Sequence, residues 1–421
     1  MLFAQDQRFT CAQCGRCCRR TTVPVSLGEA EAYRKANAGR WFRESDDAEE
    51  GAERDPFEAI AGHPGLLQIR KRADGACGFL SPSGLCRVHE ELGADRKPIA
   101  CRVFPFRFHP IRGAEAPGQE DAGDVVVTTS FACPTIVANE GAQLSSQTRD
   151  ISTLYIAWKR EQPETPARVE FVAGRALPAG TLPALRSLLI RILDTPAPDG
   201  SFDLRVSLRR IAVFLEDLMR LRVLRLSESD FGEYFGVMSR HTLTPDKTPA
   251  SRRAPWVTRF LFRGFLLSAI SVQLHLDPVL GKRPMAIRLA LFRLLAHLHG
   301  LGPGTAGFDL SAARAVALDI SDHDIREIAT HLLRSQFETI GTGRRPIVDE
   351  IAMAVAHLNA ACVFARMDAA AGGRVAVDAA SFAQGVLISA DLMQADDGGM
   401  LSRLLTTFSG GIDALYLFPP T

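Results

Sequence analysis

The sequence has almost no net charge. Its 421 residues carry 49 Lys+Arg against 48 Asp+Glu, a formal charge of +1. Overall charge therefore offers no argument for nucleic acid or membrane binding. Long clean apolar runs are missing too. The most apolar stretch, 260–276, is interrupted by Arg263, Gln273 and His275. It falls short of the roughly 20 apolar residues of a membrane span and reads as a buried helix. Only ten residues precede Cys11, too few for a signal peptide with charged, apolar and cleavage regions. No G-x-x-x-x-G-K-[ST] occurs, which excludes a P-loop. No G-x-G-x-x-G follows a strand, and HGLGPGTAG at 299–307 reads as a loop after a helix. No C-x₃-C-x₂-C occurs, so standard radical S-adenosylmethionine chemistry is not expected. There is no internal repeat of fixed period and no low-complexity tract.

What remains is a globular composition, 46% hydrophobic and 23% charged. At roughly 150 residues per domain, the length allows about two or three domains. Cysteine is unevenly spent. Cys11, Cys14, Cys17, Cys18, Cys77, Cys86, Cys101 and Cys133 fall in the first third, and only Cys362 lies beyond. Nine cysteines in so long a chain exclude a small disulfide scaffold. The expected setting is a reducing cytoplasm, where clustered cysteines mean metal or redox chemistry. Cys362 reads as a small buried hydrophobe.

The densest motif is Cys11-Ala-Gln-Cys14-Gly15-Arg-Cys17-Cys18. Two-residue gaps let the backbone wrap a metal and aim thiolates at one point. Gly15 tolerates the positive φ that a tight wrap demands. Adjacent Cys17 and Cys18 point in different directions and need not serve one centre. Thiolates select zinc, cuprous copper or iron–sulfur clusters. The first three cysteines follow ferredoxin spacing, and a Cys-Pro pair stands far off at Cys133-Pro134. A zinc ribbon would want two separated C-x₂-C pairs, and only one region has that spacing. An iron–sulfur cluster is therefore preferred over zinc. Eight thiols match two four-cysteine sites, or one cluster with spare thiols.

The chain divides into a cysteine-cluster module, 1–150, and an α-helical domain, 151–421. The fold class is mainly α, an irregular metal-binding module packed on a C-terminal helical bundle of six to eight helices. In the module, the acidic run 44–58 reads as a solvated loop or helix end. Val125 to Thr129 is the best strand candidate. Little else there folds on apolar burial alone, which favours metal cross-links. Beyond residue 150 the helical period dominates. Thr181-Leu-Pro183 opens one helix, with Leu185, Leu188, Leu189 and Ile192 as its stripe. Another runs from about Phe202 to Leu226. Further helices are expected near Pro255, Pro284, Ser321, Pro346 and Asp378. Ser321 with Asp324 has the form of a capping box. Between Arg205 and Arg293 stand 16 Lys+Arg and 7 Asp+Glu. That basic surface suits an acidic partner or the chain's own acidic run, with nucleic acid the weakest reading.

Near the thiols, His89 and Arg102 are cofactor-binding candidates. His89 follows Cys86 by three residues, and Arg102 adjoins Cys101. Imidazole suits a ligand or a hydrogen-bond donor to a thiolate. Guanidinium suits neutralising an anionic cluster. Arg16, Arg19 and Arg20 surround the knuckle. His109 reads as a part-buried polar residue. His297 and His299 do not share a helix face and make poor ligands. Phe104, Pro105, Phe106 and Phe108 wall the site or belong to the core.

Four blocks in order carry a family resemblance. They are Phe9-Thr-Cys11 to Cys18, Cys77-Gly-Phe-Leu80 with Cys86-Arg-Val-His89, Pro98-x-x-Cys101-Arg102-Val-Phe104-Pro105-Phe106, and Ser130-Phe-Ala-Cys133-Pro134. Residues 9–135 resemble the YkgJ-type cysteine-cluster family of zinc- or iron-chelating domains. The last block resembles the closing Ser-x-Cys-Pro of flagellin lysine-N-methylases, whose C-terminal half is largely helical. The resemblance implies a metal centre on the eight N-terminal cysteines, most simply a 4Fe-4S cluster or zinc, with a redox or structural role. It also implies an alternative, a protein-lysine methyltransferase using S-adenosylmethionine. In that alternative the partner is a protein substrate on the helical domain. No membrane partner is expected. Enzyme status and the catalytic base stay open at this point.

Overall fold

A computed structural model describes residues 1–43 without 21, 55–111 without 61, 62, 64 and 73, 125–161, 169–219 without 173 and 179, 227–244, and 313–395 without 314. The helices expected near Pro255 and Pro284, the apolar stretch 260–276, His297 and His299 lie outside the described residues. So do most of the acidic run and most of the basic stretch.

The N-terminal part is built from short pieces. Helix α1 is Arg16–Arg20, strand β1 is Pro24–Ser26, α2 is Leu27–Lys35 and α3 is Arg40–Arg43. Strands β2 (Phe57–Ala59) and β3 (Leu66–Ile69) follow, then α4 (Arg87–Leu92) and α5 (Ile99–Val103). The first three strands form one antiparallel sheet in the order β1-β3-β2, with Val25 opposite Leu67 and Phe57 opposite Ile69. Beneath it lies a small aromatic core. Trp41 and Phe79 meet edge to face at 5.1 Å, and Tyr33 and Phe57 close around them. Helix α2 is entered through a full capping box. The Ser26 hydroxyl accepts from the Glu29 N–H while the Glu29 carboxylate accepts from the Ser26 N–H. The other Glu29 oxygen accepts from Ile99 N–H at 2.8 Å, which ties α2 to the start of α5.

A hairpin comes next. Strand β4 (Phe106–Pro110) pairs antiparallel with β5 (Val125–Thr129), and Arg107 stands opposite Thr128. The predicted strand thus has the bounds read from its β-branched run. Helix α6 (Pro134–Ala138) and α7 (Thr148–Glu161) follow. The buried residues Val103, Phe106, Phe108, Ile151 and Trp158 share one core between hairpin and α7. Helix α7 therefore packs on the cysteine side of the chain, while Phe131 to Val137 belong to the helical core.

The helical part contains α8 (Thr181–Leu193), α9 (Leu204–Met219), α10 (Glu228–Thr242), α11 (His323–Glu338), α12 (Ile347–Ala371) and α13 (Ala379–Ala395). The stripe predicted for α8 is buried at all four positions. The helix expected from about Phe202 is observed as α9, and its expected last turns lie outside the described residues. The capping box at Ser321 is not formed. Asp322 is the N-cap of α11 and accepts from the N–H groups of Asp324 and Ile325. The Ser321 hydroxyl instead donates to Asp319 at 2.6 Å. A carboxylate one residue nearer the helix reaches two free N–H groups, so it outcompetes the hydroxyl.

Helix α12 is apolar on every side, as befits a helix surrounded by others. Among the described residues it alone is long and apolar enough to cross a membrane, and 83% of its most apolar window is buried inside the protein. Helix α13 lies against it with almost no gap. A Cβ built on Gly385 would sit 2.3 Å from the Ala361 carbonyl oxygen and 2.7 Å from the Ala365 nitrogen. At the other end of α12, Glu350 fastens the preceding loop. Its carboxylate accepts from the Thr342 N–H at 3.0 Å and also from Gly341 N–H and the Thr342 hydroxyl.

Gly385→Ala should lower stability by about 1–3 kcal/mol in urea unfolding, because backbone atoms of α12 must move and the overpacking exceeds the gain in helix propensity. Glu350 offers a pH signature. Burial raises its carboxyl from the ordinary 4.5 to about 7. The folded state then holds this proton more tightly than the unfolded state. Its contribution to stability is present at low pH and is lost as pH rises from about 4.5 through 7. Stability curves of wild type and Glu350→Gln should differ in slope across that window and run parallel outside it.

Candidate metal centre

Each thiol is delivered by a short element whose geometry is set locally. The knuckle turns at Gly15, where φ is +67°, and a Cβ there would press on the Gly84 carbonyl at 3.1 Å. Gln13 also takes a positive φ, +54°. Cys17 and Cys18 then fall in the single turn of α1. The Cys18 carbonyl accepts from the Cys77 N–H at 2.7 Å, which brings the second block onto the first. Cys77 opens a tight turn in which Leu80 N–H donates back to the Cys77 carbonyl at 2.9 Å. The chain reverses at Gly84 (φ +85°), and Cys86 pairs with Leu80 and caps α4. Cys101 sits in α5, positioned by the Glu29 bond to Ile99 and by the Tyr33 hydroxyl, which donates to the Arg96 carbonyl at 2.6 Å. Cys133 caps α6.

These turns bring the cysteines together in two adjoining spaces. A small cavity of about 70 Å³ is lined by Cys17, Cys18, Cys77, Cys86 and Cys101, with Val23, Ile69, Phe79 and Phe104 as apolar wall. A larger one of about 560 Å³ is lined by Cys11, Cys14, Cys17, Cys18, Cys86, Cys101 and Cys133. Cys11 and Cys14 are exposed, whereas Cys77 and Cys133 are buried. Among the described residues no three His, Cys, Asp or Glu side chains stand close enough to hold one ion. The donor set suits zinc or iron–sulfur chemistry all the same, since it is thiol throughout.

The electrostatics separate inner from outer thiols. A hydrogen bond with Cys18 and burial push the Cys17 thiol far up. Burial raises Cys77 to about 11. Cys101 goes well above the ordinary value by burial, with Cys77 and Cys86 adding to it. Lys97 opposes this at both Cys17 and Cys101. Cys133 is raised by burial and feels Cys14 rather than the inner group. Desolvated thiols close together cannot all ionise, and a bound cation removes that penalty.

His89 and Arg102 both line the larger cavity, as does Lys97. His89 is exposed on α4, and Arg102 is half-buried on α5. His109 is buried on β4, where its Nε2 bonds the Thr128 hydroxyl at 2.9 Å, and it lines neither thiol cavity. Phe104 walls both spaces, while Phe106 and Phe108 belong to the hairpin core. Cys362 is fully buried in α12, away from the rest.

Sequence reasoning missed Lys71, Lys97 and Asp391. Burial lowers the Lys71 ammonium, and Cys77 and Cys18 act against that. The two lysines were legible in principle, since each sits a few residues from a cysteine. Asp391 had no signal. It lies on α13, yet it accepts from Arg16 of the knuckle at 2.9 Å, and both side chains are less than 20% exposed (17% and 11%). The Arg16 Nε also donates to the Ala132 carbonyl at 3.3 Å, beside Cys133. Burial lowers the Arg16 pKa and raises that of Asp391, so each group loses more in desolvation than its partner restores. Such a pair orients more than it stabilises.

Residues 10–125 match the CxxCxxCC family model, described as "Putative zinc- or iron-chelating domain". That span holds all the cysteines from Cys11 to Cys101 and stops short of Cys133. The match supports metal binding by this module and does not bear on methyl transfer. No match was found among curated proteins, and none among solved structures.

The buried ion pair makes a prediction about how the two parts are joined. Arg16→Met should cost about 3 kcal/mol in denaturant unfolding, the low end for breaking a buried pair, because Asp391 loses its hydrogen-bonded cation and keeps only the more remote Arg20. Arg16→Met combined with Asp391→Leu should recover a substantial part of that loss.

Proposed function

We propose, from the premise that residues 10–125 form a cysteine-cluster domain, that the chain carries an iron–sulfur cluster on its N-terminal thiols. The observation behind this reading is that seven of the eight N-terminal cysteines line one cavity of about 560 Å³. A single zinc ion needs four donors on one point. Donors spread around a space of that size suit a polynuclear core, whose irons each take a different thiolate.

The residues divide the work. Cys17, Cys18, Cys86 and Cys101 stand on the border of both spaces and are the strongest ligand candidates. Ligand protons must leave on loading, and Lys97 favours the thiolate form of Cys17 and Cys101. Phe104, Phe79 and Ile69 keep water from the inner side. Arg16 and Arg102 place positive charge beside a centre that four thiolates would leave negative. The group when bound supplies a cross-link, and one-electron chemistry if its potential is accessible. Cys133 belongs to the helical core and Cys77 to the aromatic core, so ligation across this region staples the two. A reducing cytoplasm would keep these thiols available.

Anaerobic purification tests the proposal directly. The expected sample is brown, with about four irons and matching sulfide per chain. Cys86→Ser and Cys101→Ser should each lose the visible absorption band, while Cys362→Ala should keep it. A colourless protein with stoichiometric zinc would refute the cluster and leave a zinc clamp.

A further inference from the structure

A groove of about 1110 Å³ lies among α6, α9, α11 and α13, with Asp6 and the end of α8 at its rim. We propose that it docks a basic amphipathic helix of a partner protein. Apolar side chains of that helix would meet the floor, and its Lys or Arg side chains the rim.

The rim is acidic. Asp6, Asp194, Asp203, Asp324 and Glu327 line the groove, against Arg326 and Arg334. The acids come from the N-terminal segment, the end of α8, the start of α9 and α11, so no single helix dipole accounts for them. Arg334 is spent on Asp194, and Arg205 pairs with Asp203 at 3.5 Å. Arg326 lies over the Phe202 ring at 5.7 Å. His331 adds no charge near pH 7, because burial lowers its pKa while its Nε2 donates to the Ile136 carbonyl at 2.9 Å. Asp324 and Glu327 share one imidazole, that of His323, at 3.1 and 3.4 Å. Among the described residues, Asp6, Asp324 and Glu327 have no Lys or Arg partner. A cationic partner fits this excess.

The floor is apolar. Val137, Leu193, Leu204 and Leu387 line it and are buried. Ala379, Ala383 and Leu387 recur every fourth residue along one face of α13, and the two alanines let a second helix come close. Phe202 stands at the edge, 47% exposed, and offers an aromatic contact. Ser207 lines the groove at 3% exposure, and its hydroxyl makes no hydrogen bond among the described residues. A hydroxyl this deep costs stability until it is bonded, and a docked chain supplies the bond.

Size and walls choose the occupant. The volume exceeds the roughly 300–1,000 Å³ of small-molecule sites, which suits a stretch of chain over a single metabolite. None of the lining residues belongs to a strand, so there is no sheet edge for an extended peptide to join. A helix laid in a groove is the mode left. Pro134 lines both this groove and the larger thiol cavity, so a helix docked here would lie beside Cys133. Docking does not depend on which metal the cysteines hold.

Fluorescence anisotropy on the full-length, metal-loaded protein tests this. The probe is a labelled amphipathic helical peptide built from leucine and lysine, compared with the same pattern carrying glutamate for lysine. Saturable one-site binding is expected for the lysine peptide alone, weakening as salt is added. Asp324→Asn with Glu327→Gln, both exposed, should weaken it about fivefold. Phe202→Ala should also weaken it at least about fivefold. Glu31→Gln, an exposed acid on α2, should leave it unchanged. Absence of saturable binding by the lysine peptide overturns the proposal, as does equal binding of the glutamate peptide. Undiminished binding by the folded groove variants overturns it too. Sedimentation that shows self-association of the wild type, abolished by Asp324→Asn with Glu327→Gln, would assign the groove to a second copy of the chain and overturn it as well.

Discussion

Five thiols lie around a cavity of about 70 Å³, and most of the N-terminal architecture answers to that crowding. Buried thiolates repel one another and lose their hydration, so Cys17, Cys77 and Cys101 resist ionisation. The arrangement is tolerable in two forms, with the thiols neutral or with a cation among them. Lysines at 71 and 97 partly offset the charge from outside. The elements that carry the thiols are too short to hold such a group by themselves. Helix α1 has five residues and α5 has five, and neither makes a stable helix alone. Their positions come from bonds between blocks, such as Cys77 N–H to the Cys18 carbonyl and Ile99 N–H to Glu29.

The same crowding explains why the thiol region is joined so closely to the bundle. Arg16 leaves the knuckle to meet Asp391 on α13, and Cys133 caps a helix whose Ile136 and Val137 lie in the bundle core. Desolvation makes the ion pair costly, which gives it directional value: a knuckle in another pose would leave Asp391 buried without a cation. The Cys133 thiol and the helix packing around it therefore share one stretch of backbone, from β5 to α6.

Local features were readable where one segment decided its own geometry. The β-branched run at Val125 to Thr129 became β5 with those bounds. The leucine stripe of α8 was buried as spaced. Gly15 took the positive φ that its place in the knuckle demands. Reading failed where two neighbours competed for the same helix end, as Asp322 displaced Ser321 at α11. It was blind to the capping box at Ser26 and Glu29, which lies ahead of a helix with only two buried side chains and so little apolar stripe to announce it. The helix α12 is apolar all round, so periodicity had no polar face to contrast.

By itself the sequence determined a thiol-rich N-terminal module, because cysteine identity and close spacing suffice to favour soft-metal chemistry there. It also determined a mainly helical C-terminal part, since a repeating apolar stripe must be buried. Tertiary structure alone decided which thiols share a space, that Cys133 stands apart from the inner five, and that Arg16 faces Asp391 across 375 positions. Contacts of that kind depend on how separate surfaces fit, and no local spacing encodes the fit.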